Sequence, residues 1–178
     1  ALRDGCSFVI SQGTITAIPG GAAAWKRVAA ATVLRKDKQV SSRIPGLRFL
    51  GSGSFNLVSL VSGHQLPGSL PGEVALRHTR QDDGAVGDAY VAFELAAAEL
   101  ELALFVATNG VGAPIHAAAM FHAPRPGRTL RFGTCIVMQA GETDLFRNLK
   151  AVSFEGGAAL ARRLLELLGR VARLGILV

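Results

Sequence analysis

Two glycines separated by a single residue, Gly51 and Gly53, lie where two short strands are predicted to meet in a hairpin. Because glycine has no Cβ, a loop of this kind lets backbone N–H groups approach phosphate oxygens closely. Phe55 and Val58 follow, and they provide an aromatic side chain that can cover the loop and an apolar one that can pack on a flat base. Glycines at hairpin tips are more often plain turn residues, so a phosphate-binding loop and a structural turn both stay open.

The elements expected to position this loop form an α+β pattern. Short apolar runs bounded by turn residues predict five strands of a mostly antiparallel sheet, at residues 47–50, 56–61, 73–78, 115–122 and 130–138. Residues 88–108 contain neither Gly nor Pro and are dense in Ala, Leu and Glu, which predicts one long helix of about five turns. A short helix is predicted at 142–149, and the leucine spacing over 158–174 is typical of an amphipathic helix.

The first part of the chain is weakly patterned. Short strands are predicted at residues 8–10 and 14–18, a helix at 22–34 and a polar linker at 36–43. We interpret residues 1–45 as an N-terminal extension that packs onto, or leads into, the part that follows.

Composition excludes several classes of protein. With 49% hydrophobic and 18% charged residues, the 178-residue chain can fill a core and is not expected to be disordered. It contains no apolar run long enough for a membrane span and no signal-peptide pattern at its start. The net charge is +6, but the arginines are scattered and no strand interleaves basic with aromatic residues, so nucleic acid is not an expected partner. Cys6 and Cys135 have neither metal-ligand spacing nor the number needed for a disulfide framework.

Several segments, in this order along the chain, resemble the protein kinase superfamily. Residues 50–58, LGSGSFNLV, are similar to its glycine-rich loop, and residues 74–77, VALR, are similar to the Val-Ala-Ile-Lys of its third strand. A glutamate-rich helix follows, and residues 136–141, IVMQAG, look like its fifth strand, gatekeeper and hinge. Residues 144–146, DLF, resemble the start of the next helix, and residues 169–178 look like the end of the helix before the catalytic loop.

The resemblance covers residues 47–178 and implies a division of the chain into three parts. These are the N-terminal extension of residues 1–45, a kinase-like N-lobe and hinge at 46–141, and the start of a helical C-lobe at 142–178. The spacing around the hinge is also similar to that of the divergent, secreted rhoptry-type kinases of parasites. A chain of that type would be secreted, and no other localisation is predicted.

The resemblance also implies roles for individual residues toward ATP. Gly51 and Gly53 would let the loop close on the phosphates beneath Phe55, and Arg77 stands at the position of the phosphate-binding lysine. The remaining implied contacts are Val58 and Ala75 on the two faces of the adenine, Met138 as gatekeeper, the backbone of Gln139 and Ala140 at the adenine edge, and Asp144 near the ribose. The carboxylate of Asp144 is equally well explained as an acidic residue favoured at a helix N-terminus.

In the family a helix glutamate pairs with the third-strand lysine, and three residues compete for that role here. They are Glu94, Glu99 and Glu101. We prefer Glu101, because apolar residues follow it at the offsets where such a helix turns inward, and Glu99 is second. Each of the three is also explained as a solvated carboxylate on an exposed helix face.

Three departures from the family pattern argue against catalysis by this chain. Arg77 replaces the lysine, and its planar fork is not equivalent to a compact ammonium group. Asn56 stands at the third glycine, and the sequence ends at Val178, before the positions of the catalytic Asp and the metal-binding Asn and Asp. We therefore expect no catalytic residue and no metal site in this chain, and little contribution from Mg²⁺.

Two functions from different classes follow from these observations. The first is a protein-kinase-like domain of the Ser/Thr type, either a pseudokinase or a truncated kinase, that binds ATP or a protein partner. The second is a non-enzymatic α+β interaction module in which the glycine hairpin is only a turn. In both, the apolar face of the helix predicted at 158–174 should be exposed or covered by other parts of the protein or another chain.

Overall fold

Seven strands form one sheet in which each described pairing is antiparallel. The computed structural model describes residues 5–12, 14–18, 20–35, 37, 39–81, 89–111, 113–123, 130–141 and 154–175. The chain divides into two compact units, residues 1–140 and 141–178, and the sheet belongs to the first. The protein is therefore of the α+β class, with three α-helices among the residues described.

The elements of the first unit follow one another along the chain as ten strands and helices before the last strand. They are β1 (Cys6–Ser11), β2 (Thr14–Ala17), α1 (Gly21–Ala30), β3 (Thr32–Leu34), β4 (Val40–Ser42), β5 (Arg48–Ser52), β6 (Asn56–Ser62), β7 (Glu73–Thr79), α2 (Phe93–Asn109), β8 (Ile115–His122) and β9 (Phe132–Gln139). A short 3₁₀ turn, Gly63–Gln65, follows β6. The second unit contributes α3 (Phe154–Arg173).

The sheet has the order β2-β1-β8-β9-β7-β6-β5, so the long apolar strands β8 and β9 lie near its middle. These two strands are buried along almost their whole length, as expected for strands covered on both faces. The two faces are covered by different helices. Helix α1 places Trp25 and Ala29 in a core with one face of the sheet, and α2 places Ala96, Leu100 and Ala103 against the other.

Sequence reasoning predicted the central strands and underestimated the sheet. The strands expected at 47–50, 56–61, 73–78, 115–122 and 130–138 correspond to β5, β6, β7, β8 and β9. The sheet has seven strands rather than about five, because β1 pairs with β8 and β2 pairs with β1. The N-terminal strands predicted at 8–10 and 14–18 thus extend the same sheet.

The helix and linker predicted after these strands are wrong in detail. Helix α1 ends at Ala30, whereas a helix to residue 34 was expected, and the supposed linker contains a strand. The reason is the β-branched pair Thr32 and Val33, which favours a strand over a helix. Strand β3 pairs with β4, and the buried Thr32 hydroxyl lies 2.9 Å from the Ser42 hydroxyl.

Helix α2 begins at Phe93, five residues later than the predicted start at residue 88. The residues before it are held in the core in an extended form. Tyr90 is buried, and the Val91 N–H donates to the Phe132 carbonyl at 3.0 Å while the Phe132 N–H donates back at 2.8 Å. This bridge to β9 takes the backbone groups that a longer helix would need.

Helix α3 agrees with the amphipathic helix predicted at 158–174. Its Leu164, Leu165 and Leu168 side chains are exposed. The short helix expected at 142–149 lies outside the described residues. In the part of the chain that the structure describes, no helix is both long and apolar enough to cross a lipid bilayer.

A buried histidine on β7 makes the stability of the fold depend on pH. His78 is fully buried, its Nδ1 lies 3.0 Å from the Thr79 carbonyl oxygen, and burial lowers the pKa of its ring below the usual 6.5. The unfolded chain therefore takes up a proton below pH 6.5 that the folded chain does not, so stability is full above this pH and falls as the pH drops.

We expect the free energy of unfolding to decrease by about 1.4 kcal/mol per pH unit from this group once the pH is below that of the free ring. Urea unfolding at about pH 7.5 and about pH 5.5, compared between the wild type and His78→Leu, isolates the effect because the leucine variant lacks the group. His64→Gln, at an exposed histidine, is the matched control. An equal pH dependence in the wild type and the leucine variant would contradict the assignment.

Candidate functional site

The hairpin between β5 and β6 carries the glycine pair singled out in the sequence. The hairpin contains a bulge between Phe49 and Gly51, and the Gly53 N–H donates to the Asn56 carbonyl at 2.9 Å. Neither Gly51 nor Gly53 has a positive φ, and a Cβ at either would meet no described atom within 4 Å. The folded backbone of the hairpin therefore does not require either glycine, which removes the usual conformational reason for their presence.

The strands next to the hairpin bring the implied nucleotide residues onto one face of the sheet. Val58 on β6 lies opposite Arg77 on β7, and Ala75 on β7 lies opposite Met138 on β9. Because side chains alternate between faces along a strand, Ala75, Arg77 and Thr79 share one face. This is the face that α2 covers, since Glu99 of α2 contacts Arg77.

An ion pair joins this face to α2. Arg77 Nη2 lies 2.5 Å from Glu99 Oε1, and the two side chains are 34% and 25% exposed. The second carboxylate oxygen, Oε2, accepts a hydrogen bond of 2.6 Å from the Thr134 hydroxyl on β9. The carboxylate of Glu99 therefore connects two neighbouring strands to the helix.

The preference for Glu101 as the partner of this cation is wrong. Glu101 is exposed on α2, as is Glu94 in the first turn, and Glu99 makes the contact with Arg77. Two residues along an α-helix turn the side chain by about 200°, so Glu99 and Glu101 cannot face the same strand. The apolar offsets that favoured Glu101 do not mark the buried face of α2, which is set by Ala96, Leu100 and Ala103.

A cleft of about 600 Å³ opens beside the ion pair, between α2, the sheet and the hairpin. Its wall is mostly apolar, and Phe55 and Leu102 at its border are 55% and 53% exposed. The residues that line it include Phe55, Asn56, Arg77, Thr79, Leu95, Glu99, Leu102, Ala103, Ile115, Ile136 and Met138. It thus combines an exposed aromatic side chain, one ion pair and a wide apolar surface.

The residues implied for the adenine lie next to this cleft rather than along it. Among the residues described, Met138 lines the cleft, whereas Val58, Ala75, Gln139 and Ala140 do not. Ala75 is buried and Val58 is half-buried, while the Gln139 side chain is exposed. The Gln139 N–H donates to the Pro114 carbonyl at 2.8 Å, so the carbonyl of this residue, and not its N–H, is the group left for a ligand.

The other titratable groups give no sign of activated chemistry. Burial raises the pKa of the Cys135 thiol and of the Cys6 thiol above the usual range, and it also raises the pKa of the Tyr90 hydroxyl. Both cysteines are free thiols. Across the described part of the chain there is no cluster of three or more histidine, cysteine or acidic side chains that could hold a metal ion. Asp144, implied near the ribose, lies outside the described residues.

Sequence reasoning missed the role of Thr134. The signal was a single hydroxyl residue within the apolar run of β9, FGTCIVMQ, at an even-numbered position shared with Ile136 and Met138. That spacing places Thr134 on the face that carries Arg77, because Arg77 lies opposite Ile136. Compared with models of known protein families, with curated proteins and with solved structures, the chain matches none.

Proposed function

We propose that the first unit is a protein-kinase-like domain of the Ser/Thr type, a pseudokinase or part of a longer kinase, that binds an adenine nucleotide. The observation that carries the proposal is the Arg77–Glu99 ion pair. The resemblance implied that a cation in the VALR segment and a glutamate on the following helix act together, and these two side chains are 2.5 Å apart. Glutamate and arginine lie 22 positions apart in the sequence, so local geometry alone does not bring them together.

Each part of the site would contribute a different interaction. The glycine hairpin offers backbone close to phosphates, and Val58, Ala75 and Met138 offer apolar contact for a base. The Gln139 carbonyl would accept a hydrogen bond from the adenine amino group. Arg77 would attract phosphate, but Glu99 already neutralises most of its charge, so we expect weak affinity with Kd near the millimolar range.

The second function, a non-enzymatic interaction module, is supported by a different observation. Phe55, Leu95 and Leu102 expose apolar surface around the cleft, at 55%, 63% and 53%. Exposed apolar groups that lie together are typical of surfaces that bind protein partners. The two functions are compatible, because a partner could cover the same cleft that admits the nucleotide.

Isothermal titration calorimetry and thermal unfolding with ATP and ADP, with and without Mg²⁺, test the nucleotide proposal. We expect a small rise of the unfolding midpoint at millimolar nucleotide, with little effect of Mg²⁺. Inorganic triphosphate and adenosine alone serve as controls for the two halves of the ligand. No heat and no shift at millimolar ATP would rule out nucleotide binding and leave the interaction module. A strong dependence on Mg²⁺ would mean that the site contains a carboxylate ligand not assigned here.

The glycine hairpin gives a prediction that separates binding from folding. For Gly53→Ala we expect an unchanged or slightly higher free energy of unfolding, by up to about 1 kcal/mol, because φ is not positive and the Cβ has room. We expect ATP affinity to fall roughly fivefold, the loss of about one backbone hydrogen bond to phosphate. Urea unfolding and calorimetry measure the two effects.

The matched control is Gly46→Ala. Gly46 has a φ of 68°, so alanine is expected to strain the backbone and lower stability without changing ATP affinity. If Gly53→Ala binds ATP as the wild type does, the hairpin is a structural turn and not a phosphate loop.

A further inference from the structure

The carboxylate of Glu99 is held by two side chains from different strands. Arg77 of β7 binds Oε1 and the Thr134 hydroxyl of β9 binds Oε2, at 2.5 Å and 2.6 Å. Thr134 is 3% exposed, so its hydroxyl is removed from water and directed at an ionised acceptor. Hydrogen bonds of this kind are short and contribute more than those between neutral groups.

The backbone at Thr134 is itself fixed by a threonine on the neighbouring strand. The Thr134 N–H donates to the Thr79 hydroxyl at 2.8 Å, and the Thr79 hydroxyl lies 3.4 Å from the Thr134 carbonyl oxygen. The regular pairing of β7 with β9 reaches His78 opposite Cys135, and the Thr79 side chain continues the contact beyond it. Thr134 therefore presents its hydroxyl from a rigid part of the sheet.

Helix α2 has few other features that would set its position. Two of its three fully buried side chains are alanines, Ala96 and Ala103, which bury little apolar area. Its N-cap is Ala92, which makes no side-chain capping hydrogen bond. The contacts of Glu99 are thus a large share of the directional interactions that hold α2 to the sheet.

We propose that Thr134 is a positioning residue that holds Glu99 on Arg77 and thereby keeps the cation of the cleft neutralised. The part of this proposal that concerns nucleotide rests on the proposed function, whereas the part that concerns Arg77 does not. With the hydroxyl in place, one carboxylate oxygen is occupied and the other is directed at Arg77. Without it, the carboxylate can rotate, and Arg77 becomes available to solvent and to anions.

Thr134→Val tests the proposal because valine keeps the shape of threonine and removes the hydroxyl. The first readout is the rate at which phenylglyoxal modifies Arg77, measured by peptide mass spectrometry in the full chain. We expect about a tenfold increase, which corresponds to about 1.4 kcal/mol and is within the range for a hydrogen bond to a charged group. Arg48, exposed on β5, is the internal reference and should react at the same rate in every variant.

Thr134→Ser should restore the wild-type rate, since serine keeps the hydroxyl. Thr32→Val is the matched control, because Thr32 is also fully buried and hydrogen-bonded, but to Ser42 and not to Glu99. It should lower stability without changing the reactivity of Arg77. If valine at 134 prevents folding, Thr134→Cys replaces it, since a thiol is similar in size and a weak donor. An unchanged Arg77 rate in the folded variant would overturn the proposal.

The second readout is ATP affinity, which we expect Thr134→Val to raise severalfold by releasing Arg77. A fall in affinity would overturn the neutralising role. If the wild type binds no ATP at all, the proposed function fails, and the reactivity of Arg77 still decides whether Thr134 positions the ion pair. The two failures are therefore distinguishable.

Discussion

Replacing Trp25 by alanine is expected to lower the free energy of unfolding by about 3 to 5 kcal/mol, the range for truncating a large buried aromatic side chain. Trp25 is 0% exposed and lies in one core with Val61, Leu76 and Val137 of the sheet. Its carbonyl oxygen also lies 3.8 Å from the Cys135 sulfur, which acts as the donor. Single domains have a total stability of about 5 to 15 kcal/mol, so this variant should be close to unfolding.

The measurement is urea unfolding followed by far-ultraviolet circular dichroism, because the chain contains one tryptophan and the variant has none. Trp25→Phe should cost much less, since it keeps most of the apolar contact and removes an indole N–H that has no partner among the described residues. Ile15→Ala, on the edge strand β2 and 39% exposed, is the control for a change of apolar residue at the surface. An unfolding midpoint equal to that of the wild type would show that α1 is a detachable addition.

The role of Trp25 explains where the division of the chain from sequence was incomplete. Residues 1–45 lack the long periodic patterns that identify an element, and so they were interpreted as an extension. In the structure, β1 hydrogen-bonds to β8 and α1 covers a face of the sheet whose strands come from residues 56–139. Pairing between strands so distant in sequence leaves no local signal, because register depends on partners that a window of neighbours does not contain.

The strands and helices themselves were largely predictable. β8 agrees with its predicted bounds, and β7 and β9 differ from theirs by one or two residues, because their apolar composition and flanking turn residues act locally. The choice of Glu99 over Glu101 was not predictable in this way. It depends on the rotation of α2 about its axis, which is set by packing of Ala96, Leu100 and Ala103 on the sheet.

The candidate site shows the same division. The glycine hairpin, Arg77 and the alternation that places Ala75 with Arg77 were visible in the sequence, since they depend on residue type and a period of two. The ion pair, its hydrogen bond to Thr134 and the use of the Gln139 N–H by Pro114 were not, because each joins elements that are separate along the chain. Long-range polar contacts of this kind are what a single sequence conceals.

Replacing Arg77 by methionine is expected to lower ATP affinity tenfold or more, with almost no change in stability. The variant loses the cation of the cleft and leaves the Glu99 carboxylate, held by Thr134, to repel phosphate. A charge-assisted hydrogen bond contributes about 1.5 to 3 kcal/mol, which gives the size of the binding loss. The ion pair is 34% and 25% exposed, so its own contribution to folding is expected to be at most about 1 kcal/mol.

Calorimetry with ATP and urea unfolding of the same samples measure both effects, and Arg77→Lys is the matched control because it keeps the charge. Lysine should retain ATP affinity within a few-fold of the wild type. Glu99→Gln should change affinity in the opposite direction to Arg77→Met, since it frees the guanidinium and removes the repelling carboxylate. If Arg77→Met binds ATP as tightly as the wild type, the cation does not contact phosphate, and the cleft is better explained as a surface for a protein partner whose apolar residues pack on Phe55 and Leu102.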